Sequence, residues 1–298
     1  MSPSNERGPE QALVFPGGSG GLVGILHGGN PDAVSGVVIV VGGPQYRVGS
    51  HRQFVLLARH LSSAGVPVLR FDYNGMGDSA GGAAHFEACG ADIRAAVDTL
   101  VARYPTLRHV VLWGLCDGAS AAMMYAPSDP RVSGLVLLNP WVRTEEGLAK
   151  ARLKHYYLQR LGDPAFWKKL LSGRLNPFTA LSSLAGIVRS ALAGGGRGGA
   201  SARGEAARVD HFKADGPLPG RMLAAMQAYQ GRALWILSGD DLVAAEFLDT
   251  VHGSPQWQSV VGQGTTHTLE EANHTFSSAP WRNRVSEWTL HWVRTLDE

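Results

Sequence analysis

The sequence predicts an α/β protein with a mostly parallel, eight-stranded sheet flanked by helices. Short runs rich in β-branched residues alternate with helical patterns, which is the order of elements in a doubly wound sheet. From the third run onward they are apolar on both faces, as is typical of parallel strands covered by helices. The runs lie at 12–15, 21–27, 36–42, 66–73, 109–114, 132–139, 232–239 and, more weakly, 265–271.

The remaining elements follow from turn and helix signals. The first two runs are joined by "PGGSG", which predicts an antiparallel hairpin. In "RQFVLLARHLSSAG" the apolar residues 54, 57, 58 and 61 share one helical face, and Gly65 follows as a stop. The predicted helices are Gln53–Ala64, Phe86–Tyr104, Ala119–Ala126, one near 220–229 and Trp281–Leu296.

The alternation breaks between about 142 and 230, where we predict a helical cap inserted between core parts 1–141 and 231–298. Residues 144–172 are amphipathic, and a Gly/Ala/Arg-rich stretch near 190–219 predicts a flexible tether. The segment from Arg143 to Arg174 holds eight Lys/Arg and three acidic residues. It is either a solvated helix face or a surface that an acidic substrate or carrier approaches.

Composition narrows the class of protein. The chain has 298 residues and a net charge of +2 from 27 basic and 25 acidic residues, which does not favour nucleic acid as a partner. Its two cysteines, Cys89 and Cys116, show neither a C-x-x-C motif nor zinc spacing, so we expect reduced thiols, no metal and no cofactor. The polar N-terminus lacks a signal-peptide core, and the apolar runs fall short of the roughly 20 residues of a membrane span. We therefore expect a cytoplasmic protein; the sequence does not indicate an oligomeric state.

The most informative stretch is "LWGLCDGAS" at 112–120, which has the frame G-x-C-x-G. A strand, a sharp turn and a helix surround Cys116, as in a nucleophile elbow, where neighbouring residues must be small. Gly114 and Gly118 meet that requirement. The helix N-terminus favours a thiolate and stabilises an anion. The pentapeptide alone leaves open the alternative that Cys116 is an inert buried residue.

An elbow nucleophile needs an acid and a histidine, in that chain order. "LWILSGDDLVAAEF" places Asp240 and Asp241 after the next-to-last strand, and "EEANHTFSSAPW" places His274 after the last one. We favour Asp241 as the acid, because Asp240 is closer to the turn and more naturally caps it. A turn-forming or helix-capping role is the alternative for either aspartate.

The predicted oxyanion hole consists of two backbone N–H groups. One belongs to Asp117, which follows the nucleophile, and the other to Gln45 in "VVGGPQYRVGSHRQF", since Pro44 has no N–H. Polar and aromatic side chains near these positions either line a substrate pocket or anchor the structure; they are Tyr46, Arg47, His51 and Trp141.

The glycine-rich loop "RFDYNGMGDSAG" at 70–81 contains a G-x-G. The third glycine of a dinucleotide fingerprint is absent, and a helix does not follow at once, so we reject that interpretation. Asp72 and Asp78 are expected to bond backbone N–H groups.

Longer motifs carry a family resemblance. They are "VVGGPQYRVGSHRQFVLLARHL", "RFDYNGMGDSAG", "LWGLCDGASAA", "LVLLNPWVRTEEG", "KHYYLQRLGDPAFWKKLLSG", "LSGDDLVAAEF" and "ANHTFS". Together, over about residues 10–295, they resemble the exosortase A system-associated hydrolase 1 group of the α/β-hydrolase superfamily. The resemblance implies an α/β-hydrolase fold with a helical cap, with Cys116, Asp241 and His274 as nucleophile, acid and base. It also implies a place beside exosortase and exopolysaccharide genes of Gram-negative bacteria.

Three hypotheses follow. The first is an enzyme that acts on an ester, thioester or lactone through an acyl-Cys116 intermediate, with water or a saccharide hydroxyl as the acceptor. Its partner is a small-molecule or carrier-bound acyl substrate. The second is a non-catalytic binding or scaffold protein on the same fold. The third is a redox-sensing thiol, with Cys116 paired to Cys89.

Overall fold

The computed structural model describes residues 10–18, 20–42, 45–82, 85–143 and 216–298. The predicted cap helix at 144–172 and the tether up to residue 215 lie outside the described residues. The described residues form one eight-stranded sheet with the order β1-β2-β4-β3-β5-β6-β7-β8. The strands are β1 Glu10–Pro16, β2 Gly21–His27, β3 Ser35–Val40, β4 Val68–Phe71, β5 His109–Leu115, β6 Val132–Leu138, β7 Arg232–Asp240 and β8 Thr265–Asn273.

Strand direction agrees with the prediction. β1 pairs antiparallel with β2, and β2 pairs antiparallel with β4. The other pairs, from β4–β3 through β7–β8, are parallel. The carboxyl ends of β3 to β8 therefore meet at one edge of the sheet, which we call the carboxyl edge.

Helices cover both faces of the sheet. They are α1 Gln53–Ser63, α2 Gly90–Arg103, α3 Asp117–Tyr125, α4 Leu218–Ala228, α5 Leu242–His252, α6 Pro255–Gly262 and α7 Ala279–Arg294. Short 3₁₀ segments occupy Ser50–Arg52, Phe86–Ala88 and Ala126–Ser128. Helices α1 and α7 contribute to one apolar core, and α2 to α6 contribute to the other.

Side chains that alternate along the central strands fill the two cores. In β3, Val37 and Ile39 belong to the α1/α7 core, while Val38 and Val40 belong to the opposite core. The face of α1 predicted from residues 54, 57, 58 and 61 is buried. This alternation holds the central strands, and with them the carboxyl edge, between two packed layers.

Several helices differ from the prediction. The predicted helix Phe86–Tyr104 is divided into the 3₁₀ segment Phe86–Ala88 and α2, which begins at Gly90. Helix α3 begins at Asp117 rather than Ala119, because the turn at Cys116 leads straight into it. Helices α5 and α6 were not predicted; the side chains of Asp241 and Ser254 cap their N-termini. None of the described helices is long and apolar enough to span a lipid bilayer.

Candidate active site

Cys116 occupies a strained turn between β5 and α3. Its backbone has φ 60° and ψ −126°, a conformation that costs a non-glycine residue about 1–3 kcal/mol. Its N–H donates to the carbonyl of Leu138 at 2.9 Å, and its carbonyl accepts from Ala119 N at 3.0 Å and Trp141 N at 3.3 Å. Hydrogen bonds on both sides of the residue therefore hold the turn in place.

The glycines of the frame are required by close backbone approach. A Cβ on Gly114 would lie 2.5 Å from the carbonyl carbon and oxygen of Gly118. A Cβ on Gly118 would lie 2.5 Å from the carbonyl oxygen of Val40 in β3. The first turn of α3 thus packs directly on β3 and β5, as an elbow needs.

His274 and Asp241 form a hydrogen-bonded pair after the two last strands. The distance from His274 Nδ1 to Asp241 Oδ2 is 2.8 Å. The Asp241 side chain is only 7% exposed and that of His274 is 32% exposed. With Nδ1–H donated to the carboxylate, Nε2 is the nitrogen left to exchange a proton.

Asp241 also caps α5, through hydrogen bonds accepted from Val243 N at 3.2 Å and Ala244 N at 3.1 Å. Burial alone raises the pKa of its carboxyl. The hydrogen bond and charge of His274 and the two N–H groups outweigh burial, and the net pKa lies below the ordinary value of 3.8. Asp241 is therefore ionised at neutral pH.

The expectation that Asp240 is the capping residue is wrong. Asp240 is the last residue of β7, pairs with Asn273 in the ladder and is exposed. One residue, Asp241, both caps α5 and hydrogen-bonds His274. This is possible because one carboxylate oxygen can accept more than one hydrogen bond.

The predicted oxyanion residues flank the elbow in the chain. Asp117 is the first residue of α3, where backbone N–H groups point out of the helix. Gln45 lies in the loop after β3, and its Oε1 accepts from Ser50 N at 3.2 Å. Gly42, at the start of that loop, is so close to the elbow that a Cβ there would lie 2.5 Å from the carbonyl oxygen of Leu115. A hole formed by the N–H groups of Gln45 and Asp117 stays a prediction.

Arg47 is an anchor of this loop. Its guanidinium pairs with the buried carboxylate of Asp72 and with Asp78, the latter at 2.6 Å. Its N–H also donates to Asp72 at 2.6 Å. Asp72 bonds the N–H groups of Arg47 and Asp78, as expected, whereas Asp78 bonds a guanidinium instead of a backbone N–H. Of the two interpretations of Arg47, these contacts support structural anchoring over the pocket.

The other predicted pocket residues lie in the same region of the chain. Tyr46 is 48% exposed. His51 has φ 52° in the short helix that follows the loop. Trp141 contacts the elbow through its backbone, since its carbonyl accepts from Ser120 Oγ at 2.7 Å. Their contact with a substrate stays a prediction.

The two cysteines do not form a disulfide with each other. Cys89 is buried, and its thiol donates to the carbonyl of Phe86 at 2.9 Å. Burial raises the pKa of this thiol to about 12, so it stays protonated. These observations argue against a redox pair of Cys89 and Cys116.

Backbone strain is concentrated at the carboxyl edge. Among the described non-glycine residues, positive φ values occur after the ends of β3, β5, β6 and β8, at His51, Arg52, Cys116, Asn139 and Phe276. Such strain is typical of functional sites. Two of these residues, Asn139 and Phe276, were not predicted from the sequence. Asn139 carried a usable signal, because it directly follows a buried strand and asparagine tolerates positive φ.

The sheet order and the elbow define the α/β-hydrolase fold, and solved structures share it. An esterase of Pyrococcus furiosus superposes with a TM-score of 0.61 at 14% identity, covering 98% of this chain and 96% of that one. A dienelactone hydrolase of Anabaena variabilis superposes with a TM-score of 0.57 at 14% identity, covering 97% of this chain and 99% of that one. A serine hydrolase without a lid from Xanthomonas campestris superposes with a TM-score of 0.53 at 18% identity, covering 95% of this chain and 94% of that one.

Comparison of the sequence with family models identifies a family within this fold. The family model described as serine aminopeptidase, S33, matches residues 32–186, just over half of the chain. The chain belongs to this family of hydrolases. No curated protein sequence matches the chain.

Proposed function

We propose that this protein is a cysteine hydrolase that acts on activated acyl groups, namely esters, thioesters or lactones, with Cys116, His274 and Asp241 as its triad. The observation that carries the proposal is the 2.8 Å hydrogen bond between His274 and Asp241 at the edge where the strained Cys116 turn lies. A pair of this kind is the usual activating partner of an elbow nucleophile.

The reaction proceeds in two stages. His274 Nε2 takes the proton of the Cys116 thiol, and the sulfur attacks the acyl carbon. The carbonyl electron pair moves onto oxygen, where the N–H groups of Asp117 and Gln45 stabilise it. The intermediate collapses to a thioester as the leaving group departs with the proton from His274. A water molecule, deprotonated by His274, then attacks the thioester and releases the carboxylic acid and the Cys116 thiol.

Cysteine at the elbow favours activated substrates over peptides. The family description names a serine aminopeptidase, whereas the centre of the elbow frame here is Cys116. A thiolate is a better leaving group than an amine, so an intermediate formed from an amide tends to revert. Esters, thioesters and lactones carry leaving groups good enough to compete.

Two finer statements belong to the same proposal. The motif resemblance supports a role in an exosortase-linked exopolysaccharide pathway in the cytoplasm, with a small or carrier-bound acyl substrate. An acyltransferase, in which a saccharide hydroxyl takes the place of water as the acceptor, is the alternative reaction. The scaffold alternative is weaker, because a scaffold has no use for the intact His274–Asp241 hydrogen bond.

The test is a panel of p-nitrophenyl esters and acyl thioesters of increasing chain length, with an aminoacyl amide as the peptidase arm. We expect Cys116→Ala to lose at least about 10³-fold in kcat/KM on esters, as removal of a triad nucleophile does elsewhere. Mass spectrometry of the wild type should detect an acyl group on the Cys116 peptide. Ester turnover unchanged in Cys116→Ala overturns the proposal, and so does faster cleavage of the amide than of the esters.

A further inference from the structure

Asn139 is a buried polar residue directly after β6. It is fully buried and has φ 42°. Its Nδ2 donates to Ser238 Oγ at 2.7 Å and to the carbonyl of His274 at 3.1 Å. Its Oδ1 accepts from Ser238 N at 3.0 Å. The amide therefore uses both donors and an acceptor inside the protein, and none of these partners is a charge.

These bonds link the end of β6 to β7 and to the loop after β8, which lead to Asp241 and hold His274. Leu138, the residue before Asn139, accepts the N–H of Cys116. Ser238 lies in β7, three residues before Asp241. The carbonyl of His274 belongs to the loop after β8, so one amide links β6 to that loop across the intervening β7.

The loop after β8 has, among the described residues, few hydrogen bonds to the sheet that could replace the one from Asn139 to the His274 carbonyl. β8 is the edge strand, and eight of its nine residues are exposed or only partly buried, with Ala272 as the one buried residue. The β7–β8 ladder also shifts register between Ser238 and Asp240. The His274 ring bonds Asp241 outside the loop, whereas the hydrogen bonds between Asn273 and Ser277 stay within it. Regular strand pairing therefore fixes this loop less well than it fixes the elbow.

We propose that Asn139 is a positioning residue that holds the backbone of His274 in register with the Cys116 elbow. The inference rests on the proposed function, since it explains how the base of that reaction is placed. Asparagine suits the position for two reasons: it tolerates the left-handed φ, and its amide supplies a donor and an acceptor at once.

Two variants separate the amide from the backbone and from its neighbour. Asn139→Gly keeps the left-handed backbone and removes the amide. Ser238→Ala removes one acceptor of the amide and leaves the bond to the His274 carbonyl, so it is the matched control. We expect Asn139→Gly to lower kcat on the best ester by about 10- to 100-fold with KM within twofold, since small misplacements of a catalytic group have costs of this size. Ser238→Ala should stay within about threefold of the wild type, because it leaves His274 bonded.

A double-mutant cycle distinguishes positioning from a general loss of structure. In a His274→Ala background, Asn139→Gly should change the residual rate by less than about twofold, because the group that it positions is gone. The same fractional loss in both backgrounds overturns the inference, as does a folded Asn139→Gly protein with wild-type kcat. If Asn139→Gly does not fold, Asn139→Ser undergoes the same cycle, with the same outcomes.

Hydrogen exchange tests the inference without using the reaction. Amides of residues 273–278 should exchange faster in Asn139→Gly than in the wild type and at the wild-type rate in Ser238→Ala. Unchanged exchange in Asn139→Gly overturns the positioning role even if the protein is an active hydrolase. Failure of the proposed function is seen separately, as ester turnover that survives Cys116→Ala.

Discussion

Two histidines of this protein are each hydrogen-bonded to a charged side chain, but the charges are opposite. His27, in β2, is 1% exposed and accepts a hydrogen bond at Nε2 from Arg70 Nε at 2.8 Å. Burial and the charge of Arg70 lower its pKa to about 4, although Glu10 acts in the other direction. His274, at the carboxyl edge, is one-third exposed and bonds the carboxylate of Asp241.

The charge of the partner distinguishes His27 from His274, the base of the proposed reaction. A guanidinium can only donate, so His27 must stay neutral to accept from it. A carboxylate stabilises the imidazolium that forms when His274 takes a proton. Both are among eleven histidines in the sequence, and composition alone does not tell them apart.

The sharpest test of this contrast removes the charge beside His274. Asp241→Asn should lower kcat by about 10³- to 10⁴-fold, because the amide no longer favours the required tautomer or stabilises the cation. Stability should change little, since asparagine caps helices as well as aspartate does. Steady-state kinetics and thermal unfolding measure the two effects.

The matched control for that variant is Asp240→Asn, one residue earlier, where the side chain is exposed. It should keep kcat within about twofold, since changes on an exposed surface have small effects. An equal loss of kcat in both variants contradicts the assignment of Asp241.

The second test concerns acid stability at His27. The folded protein keeps His27 neutral down to about pH 4, whereas the unfolded chain binds a proton below its ordinary pKa of 6.5. Stability is therefore lost as pH falls from 6.5 to 4, by up to about 3 kcal/mol, and this contribution changes no further below pH 4.

The variant His27→Gln removes that contribution, and its side-chain oxygen can still accept from Arg70. Urea unfolding at pH 7 and pH 4 should show a steeper decline for the wild type than for the variant. If the free energy of unfolding declines equally in the wild type and the variant, the lowered pKa of His27 is contradicted. His274→Gln, measured in the same way, controls for the loss of any histidine.

The smallest expected effect compares one substitution in the two regions. Gly114→Ala at the elbow places a methyl group 2.5 Å from backbone atoms of Gly118. Gly24→Ala, in the strand of His27, meets the Phe15 ring at 3.0 Å and backbone only at 3.2 Å. A ring can move more easily than a helix backbone, so we expect about 1–3 kcal/mol of destabilisation at Gly114 and less at Gly24. Thermal unfolding ranks the two; the reverse order contradicts the role given to Gly114.

Much of the fold was readable from the sequence because apolar runs and their order are local signals. The eight strands, the entry hairpin and α1 follow from patterns of four to twelve residues. Helices α5 and α6 were not predicted; only two residues separate them, so no turn signal of the usual length divides the segment after β7 into two helices.

The site residues also divide into those with a local sequence signal and those without one. The strained turn at Cys116 and the positions of Asp241 and His274 were predictable, because topology dictates where an elbow, an acid and a histidine follow their strands. The hydrogen bonds of Asn139 and the pairing of Arg47 with Asp72 were not predictable, since they depend on contacts between distant segments. Hydrogen bonds of this kind leave no periodic trace in a sequence.

In the proposed reaction, the two sets of hydrogen bonds made by Asp241 link catalysis to the first turn of α5. The same carboxylate closes the first turn of α5 and orients His274. Fraying of that turn releases the imidazole while the sheet beneath remains folded, because local opening requires less free energy than global unfolding. The protein should therefore lose activity in mild denaturant before its tryptophan fluorescence reports unfolding, so its working range is narrower than its melting curve suggests.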